Sequence, residues 1–396
     1  MKRFPKDKLK VLFSSFAGKG IGLIASIIVV RLLTTEDFAE WTYYKSFIIF
    51  LLPIAGLGMD QVFLRYSYIE QVDMEELKKQ TFSIAVFSGV FISLLGAFLI
   101  FWTRPNDYVN TLLLLFVFLQ LLTNQFNLFQ IFYFRITNNF SQYSLVVLLS
   151  SVFASTALIV GALINVETMA LMVALCFVVY YLFSPLKIGL SLKSAATITK
   201  ERLKYGISIG LGGVFNKAIY VFDIIYIGNI LNNQELLAGY KVASIIPFNL
   251  ILVTSAILTV DFGDFVNYKR EEVIRYLVSY WKKMSLFLAP VGIVCVFFGD
   301  ILMEFLFGER YSNYGYLMIY YFLFISLVIL LRSPVGQMLN AMGHANYNAI
   351  MTIVQLILLS VLFFLPFEIT VVQMILYFAF TVLLLSSLQL IKLLRS

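Results

Sequence analysis

Phe13-Ser14-Ser15-Phe16-Ala17-Gly18-Lys19-Gly20-Ile21-Gly22-Leu23-Ile24-Ala25-Ser26-Ile27-Ile28-Val29-Val30-Arg31 is an apolar run with one lysine at its heart. The block around it, residues 11–33, is long enough to cross a hydrocarbon core as a helix. Ser15, Lys19, Gly22 and Ser26 recur at spacings of 4, 3 and 4, which places them on one helical face. Lys19 lies about nine residues into the block, roughly 13 Å along a helix and so near the midplane. Facing lipid there would cost ~2.5–3.5 kcal/mol, so the ammonium is expected to face a cavity or a partner. Lys2, Arg3, Lys6, Lys8 and Lys10 precede the run as in a secretory leader, but Lys19 interrupts it and no small-residue cleavage site follows. The expectation is a retained first helix.

Working outward, eleven further apolar blocks follow, at 41–66, 81–102, 109–135, 143–164, 168–190, 205–231, 236–262, 283–307, 316–340, 347–365 and 371–394. The chain of 396 residues is 61% hydrophobic and 13% charged, far from the ~25% charge of soluble domains. A cytosolic enzyme, a nucleic-acid-binding domain and a disordered scaffold are excluded. The reading is an all-α integral membrane protein of about twelve transmembrane helices, with no chain left for a soluble domain. Lys78 and Lys79, Lys193 to Lys204, Lys269 to Lys283, and Lys392 and Arg395 fall at one set of ends. The opposite loops carry Glu36, Asp37, Arg104, Asp107, Glu167, Glu235, Glu309 and Glu368. By the positive-inside rule the first set is cytoplasmic, and an even helix count puts both termini inside.

An offset of 198 residues aligns Leu32-Leu33-Thr34-Thr35-Glu36-Asp37 with Ile230-Leu231-Asn232-Asn233-Gln234-Glu235 and sets Lys19 on Lys217. Near an offset of 204, Tyr143 meets Tyr347. Two pseudo-symmetric six-helix lobes are expected, 1–190 and 205–396, joined by the basic cytoplasmic linker 191–204. Such parallel repeats place substrate between the halves.

Lys217 also lies deep in its span, on a stripe of Gly206, Gly210, Gly213 and Tyr220, and Arg332 lies well inside the tenth span. Two readings stay open. The small residues and lysines line a cavity, or the glycines let helices pack closely and each lysine pairs with an acid such as Asp60 or Asp223. Arg31, Lys45, Lys241, Arg65 and Arg135 lie nearer helix ends, where snorkelling is the default. Asp223 is the deepest acid, a candidate coupling-ion site or counter-ion, and Asp60 could balance Lys19 or Arg65. The summed intramembrane charge is positive, which favours an anionic substrate. Pro53, Pro185, Pro247, Pro290 and Pro334 fall inside spans as candidate hinges. Trp41, Tyr43 and Tyr44 fit an interfacial aromatic belt or a sugar-stacking mouth. Cys176 and Cys295 read as packing residues and His344 as a turn histidine. Neither a metal-spaced cluster nor a phosphate-binding Gly-Lys-Ser/Thr loop occurs, so no metal, cofactor or built-in ATPase is expected.

Several stretches look like one family. Leu32-Leu33-Thr34-Thr35-Glu36-Asp37-Phe38 resembles the outer turn after the first helix of polysaccharide-repeat-unit (O-antigen, Wzx-type) flippases. Gly56-Leu57-Gly58-Met59-Asp60-Gln61-Val62-Phe63-Leu64-Arg65, Leu306-Phe307-Gly308-Glu309-Arg310-Tyr311 and Asn340-Ala341-Met342-Gly343-His344 are similar to later segments of the same family. The resemblance covers the whole chain. It implies a MATE-like member of the multidrug/oligosaccharidyl-lipid/polysaccharide exporter superfamily, with first and seventh helices lining a cationic cavity. The implied substrate is an oligosaccharide on undecaprenyl diphosphate, turned from the cytoplasmic to the outer leaflet of a bacterial cytoplasmic membrane. Lys19, Lys217 and Arg332 would meet the diphosphate, backed by Arg31, Lys45, Lys241 and Arg65. The protein would act as a monomer without cofactor or nucleic acid, with membrane lipid and a polysaccharide polymerase as candidate partners. The chain lacks the two extra helices usual in lipid II flippases, which argues against that substrate. Opposite Asp223 the eleventh span offers only Asn348, Thr352 and Gln355, which puts sodium coupling in doubt. A cation-coupled drug exporter would prefer an acidic cavity. A polymerase or ligase would need a large outer loop, and the outer loops here are short.

Overall fold

A computed structural model describes residues 6–69, 73–103, 110–137, 139–183, 189–231, 233–265, 268–342, 344–361 and 369–395. Lys2, Arg3, Arg104, Asp107, Pro185, Asn232, Gly343 and Glu368, named above, lie outside these residues, as does the side chain of Tyr220. Among the described residues there is no strand. In chain order the helices are α1 (Lys6–Leu32), α2 (Thr35–Ala55), α3 (Met59–Ile69), α4 (Met74–Thr103), α5 (Thr111–Ile136), α6 (Phe140–Ala162), α7 (Val166–Phe183) and α8 (Leu192–Ala196). They continue as α9 (Lys200–Tyr226), α10 (Gln234–Phe265), α11 (Arg270–Phe307), α12 (Gly315–Leu327), α13 (Ser333–Ala341), α14 (Ala345–Ser360) and α15 (Val371–Arg395).

Eight helical segments are long and apolar enough to cross a bilayer, and the bent pair α2–α3 makes a ninth. Shorter apolar stretches, Val166–Val179 and Asn346–Ser360, lie in α7 and α14. With the 27-residue α9 these make an all-helical multi-pass architecture, as the hydropathy pattern predicts. Their outward surface is apolar. Leu286, Ile293, Phe297, Ile301 and Phe305 recur along one exposed face of α11, a surface suited to lipid.

Local chemistry sets the helix ends. The Thr34 hydroxyl accepts the Asp37 N–H at 3.1 Å, and Glu36 and Asp37 sit at the positive end of α2. Asn110 caps α5 through its side-chain oxygen while its amide donates to Glu167 at 2.8 Å, tying the starts of α5 and α7 together. Thr199 caps α9.

The chain divides into two compact units, Met1–Gln234 and Glu235–Ser396. In the first, α1 packs along α6, α6 along α7, α5 between α4 and α7, and α9 along α2. Its core includes Phe63, Phe82 and Phe129, with ring centroids 6.0 Å apart for Phe63–Phe129 and 5.2 Å for Phe82–Phe129. In the second, α11 packs on α12, and α12 and α14 on α15. Gly299 lies so close to α12 that an added Cβ would come within 3.0 Å of the Gly315 carbonyl.

Candidate functional site

Lys19 sits midway along α1, thirteen residues from either end. Lys217 lies on α9, and both lysines belong to the first unit. The two ammonium groups are near enough to repel one another electrostatically. Neither makes a hydrogen bond or ion pair with any described residue, so neither is balanced by Asp60 or Asp223. Both side chains are exposed at the protein surface of the unit, and their surroundings are open. A Cβ added at Gly20, Gly22 or Gly212 would have nothing within 4 Å. Two like charges at mid-helix depth, each without a protein counter-ion, are an arrangement that an anion would complete.

Of the two readings left open for the glycines next to Lys217, the structure supports close packing. Span two breaks by 42° between α2 and α3. Pro53 cannot donate to the helix, Leu57 and Gly58 take left-handed φ values of 48° and 64°, and the Ser88 hydroxyl donates to the freed Ala55 carbonyl at 2.8 Å. Gly206, Gly210 and Gly213 of α9 nest into this break. Added Cβ atoms would meet the Leu57 carbonyl at 2.7 Å, the Pro53 carbonyl at 3.2 Å and the Pro53 ring at 2.6 Å. The stripe is therefore a close-packing seam that carries Lys217 at its end.

Arg332 belongs to the second unit, at the end of a π-helical turn, Val328–Arg332. It is half-buried, and its guanidinium has no hydrogen bond, ion pair or ring contact with a described residue. The remaining cations have local seats. Arg65 lies over the Tyr205 ring at 4.4 Å and not on Asp60, whose carboxylate accepts from the Gln61 amide at 2.9 Å. Lys45 lies over Trp41 at 5.0 Å and Lys241 over Phe248 at 5.6 Å. Arg31 is exposed in the last turn of α1, where the helix dipole favours it. Asp223 is buried, and its side chain accepts the Ile224 N–H at 2.9 Å.

Trp41, Tyr43 and Tyr44 form neither an interfacial belt nor a sugar platform, because all three are buried. Trp41 stacks on Phe116 at 4.9 Å, and the Tyr44 hydroxyl accepts the Asn110 N–H at 3.0 Å. A set of residues unnoticed in the sequence lies on α5. Gln120, Thr123, Asn127 and Gln130 share one helical face, and Gln125 points toward Gly56 at the break of span two. Gln125 and Gln130 are fully buried, and neither polar atom of Gln130 has a partner among the described residues. Nor has the Gln125 amide nitrogen, Asn127 Oδ1 or Gln120 Oε1. The signal was available as five carboxamides in one apolar span: Gln120, Asn124, Gln125, Asn127 and Gln130. Among the described residues no cluster of His, Cys, Asp and Glu could hold a metal, and both cysteines are free.

A family model described as "Polysaccharide biosynthesis protein" matches residues 28–315. No curated protein sequence matches the chain significantly. Among solved structures, the lipid II flippase MurJ in an inward closed conformation is similar, with a TM-score of 0.70 at 15% identity over 96% of this chain and 87% of that one. An inward-facing multidrug resistance MATE family transporter of the MOP superfamily gives 0.63 at 12% identity over 94% of both chains. A MOP superfamily transporter from Pyrococcus furiosus, described as having a binding pocket of reversed polarity, gives 0.62 at 14% identity over 98% and 94%. At these identities the likeness establishes the fold, a multi-pass membrane architecture shared with the MOP superfamily.

Proposed function

The chain belongs to the polysaccharide biosynthesis protein family, and on that premise we propose that it is a flippase for an undecaprenyl-diphosphate-linked oligosaccharide repeat unit. It moves this lipid from the cytoplasmic to the outer leaflet of a bacterial cytoplasmic membrane by alternating access. The observation that carries the proposal is the pair Lys19 and Lys217, within electrostatic reach of one another and without counter-ions among the described residues. A diphosphate supplies the missing negative charge and accepts charge-assisted hydrogen bonds from both ammonium groups. The bound headgroup lowers the cost of placing two cations at that depth, which favours the loaded state over the empty one. In the first unit Arg31, Lys45 and Arg65 add positive charge, and in the second Arg332 and Lys241 are cations that an anionic headgroup could meet. The linker 191–204 expected between two lobes falls inside the compact unit Met1–Gln234, to which α9 and Lys217 belong. A cationic drug would be repelled by the same lysine pair, so the exporter reading is disfavoured. The protein acts by binding and moving its substrate, with no catalytic group.

The test is complementation of a strain lacking the gene, with surface polysaccharide and membrane insertion both measured. Lys19→Ala and Lys217→Ala should abolish polymer while the proteins insert at normal levels. Normal polymer from both variants would overturn the assignment.

A further inference from the structure

The turn that carries Arg332 is held by two side chains of α11. Ser333 N–H donates to the Val328 carbonyl, five residues back, in place of the Ile329 carbonyl that a regular helix would use. Pro334, the α-helical donor for the Leu330 carbonyl, has no N–H. Two successive carbonyls thus lose their usual donors inside an apolar span, where an unserved carbonyl is costly. The Tyr280 hydroxyl donates to the Ile329 carbonyl at 3.0 Å, and Trp281 Nε1–H donates to the Leu330 carbonyl at 2.6 Å. Neighbours on α11 serve neighbours on the turn, one donor to one acceptor. Tyr280 is buried, which shields its bond from competition with solvent.

The geometry of the turn decides where Arg332 points. One extra residue in a helical turn rotates the next positions by about 100° relative to a regular helix. Arg332 closes this turn, two residues beyond Leu330, and its guanidinium has no protein partner among the described residues. A regular helix would aim that guanidinium elsewhere.

We propose that Tyr280 and Trp281 are positioning residues: by donating to the Ile329 and Leu330 carbonyls they lock the π-turn that presents Arg332 as a ligand for an anionic headgroup. This rests on the reading of Arg332 as a headgroup ligand. The two side chains act through Arg332 and do not themselves touch the substrate. Their chemistry specifies what each contributes, since one hydroxyl and one indole N–H are needed and an apolar replacement of either frees a carbonyl.

The experiment uses the full chain in proteoliposomes with a synthetic polyprenyl-diphosphate-linked oligosaccharide, reading half-saturation, maximal rate and Tm. Arg332→Ala should raise half-saturation at least tenfold. Trp281→Phe and the milder Tyr280→Phe should raise it about threefold to tenfold with maximal rate little changed, the range expected for one buried hydrogen bond. Combined with Arg332→Ala, neither should raise it further, because both act through the same guanidinium. Pro334→Ala returns a backbone N–H to the turn. Added to Trp281→Phe it should restore Tm and leave half-saturation high. Recovery of half-saturation together with Tm, or full additivity with Arg332→Ala, would reduce the two aromatics to structural roles and overturn the proposal. Unchanged half-saturation in Arg332→Ala would instead remove Arg332 as a headgroup ligand, and the proposal with it.

Discussion

Gly58→Ala tests the seam that holds Lys217. Gly58 has φ of 64°, and a Cβ built there lies 2.3 Å from the Gly206 carbonyl oxygen. The obstacle is backbone, so no side-chain rotation relieves it. Reaching an ordinary contact of ~3.4 Å requires α9 to move away from the break by about 1 Å. The left-handed conformation adds ~1–2 kcal/mol for a residue with a Cβ, and overpacking a tight seam adds ~1–3 kcal/mol. In a unit of 234 residues that total lowers Tm by about 5–15 °C. Gly212→Ala is the control on the same helix, because nothing lies within 4 Å of its built Cβ, and its Tm should stay within about 2 °C of wild type. Both variants are purified in detergent and melted side by side, with flipping measured in parallel. If Gly58→Ala melts with the wild type, or if Gly212→Ala is damaged as badly, the close-packed seam is wrong.

Gln130→Leu replaces a fully buried carboxamide without partners by an apolar side chain of similar size, and should raise stability by ~1–3 kcal/mol; a lower Tm would show that the carboxamide is engaged after all. If Asp223 carries a coupling ion, Asp223→Asn should abolish gradient-driven flipping and spare substrate binding, as measured with a labelled lipid in vesicles. Unchanged flipping would remove Asp223 as a coupling group. Trp41→Ala should cost ~3–5 kcal/mol by emptying the space against Phe116, seen as a large fall in Tm; a stable protein with altered glycan preference would restore the sugar-stacking role.

The spans and the depth of Lys19, Lys217 and Arg332 were legible because a bilayer imposes one strong rule on every residue that crosses it. Charges stand out against that rule, so they drew attention. Carboxamides cost less and were overlooked, although Gln125 and Gln130 prove to be among the most buried polar groups of the first unit. Pro53 was one of five candidate hinges, but that span two breaks there, and which helix fills the break, depends on contacts between residues far apart in sequence. The glycines of α9 were ambiguous for that reason, since small residues serve a cavity and a seam equally well. Trp41 and Tyr44 misled because a helix end at the interface and a buried helix start both select aromatic side chains. The π-turn at Val328–Arg332 had a trace in Pro334, but a proline marks an unserved carbonyl without saying which side chain serves it.

The nesting of α9 into the α2–α3 break also sets an order in time. Gly58 and Gly206 are 148 residues apart, and both sides of their contact must be in the membrane before either is finished. At ~5–20 residues per second a ribosome needs about 7–30 s to make the stretch between them. Throughout that interval the bent second span waits in lipid with its left-handed Leu57 and Gly58 unsupported by α9. A fragment that stops in the linker at 191–204 never leaves that waiting state, whereas one that runs through Leu231 carries the partner it lacks. A fragment cut before α9 should therefore be more sensitive to proteases than one that runs through Leu231.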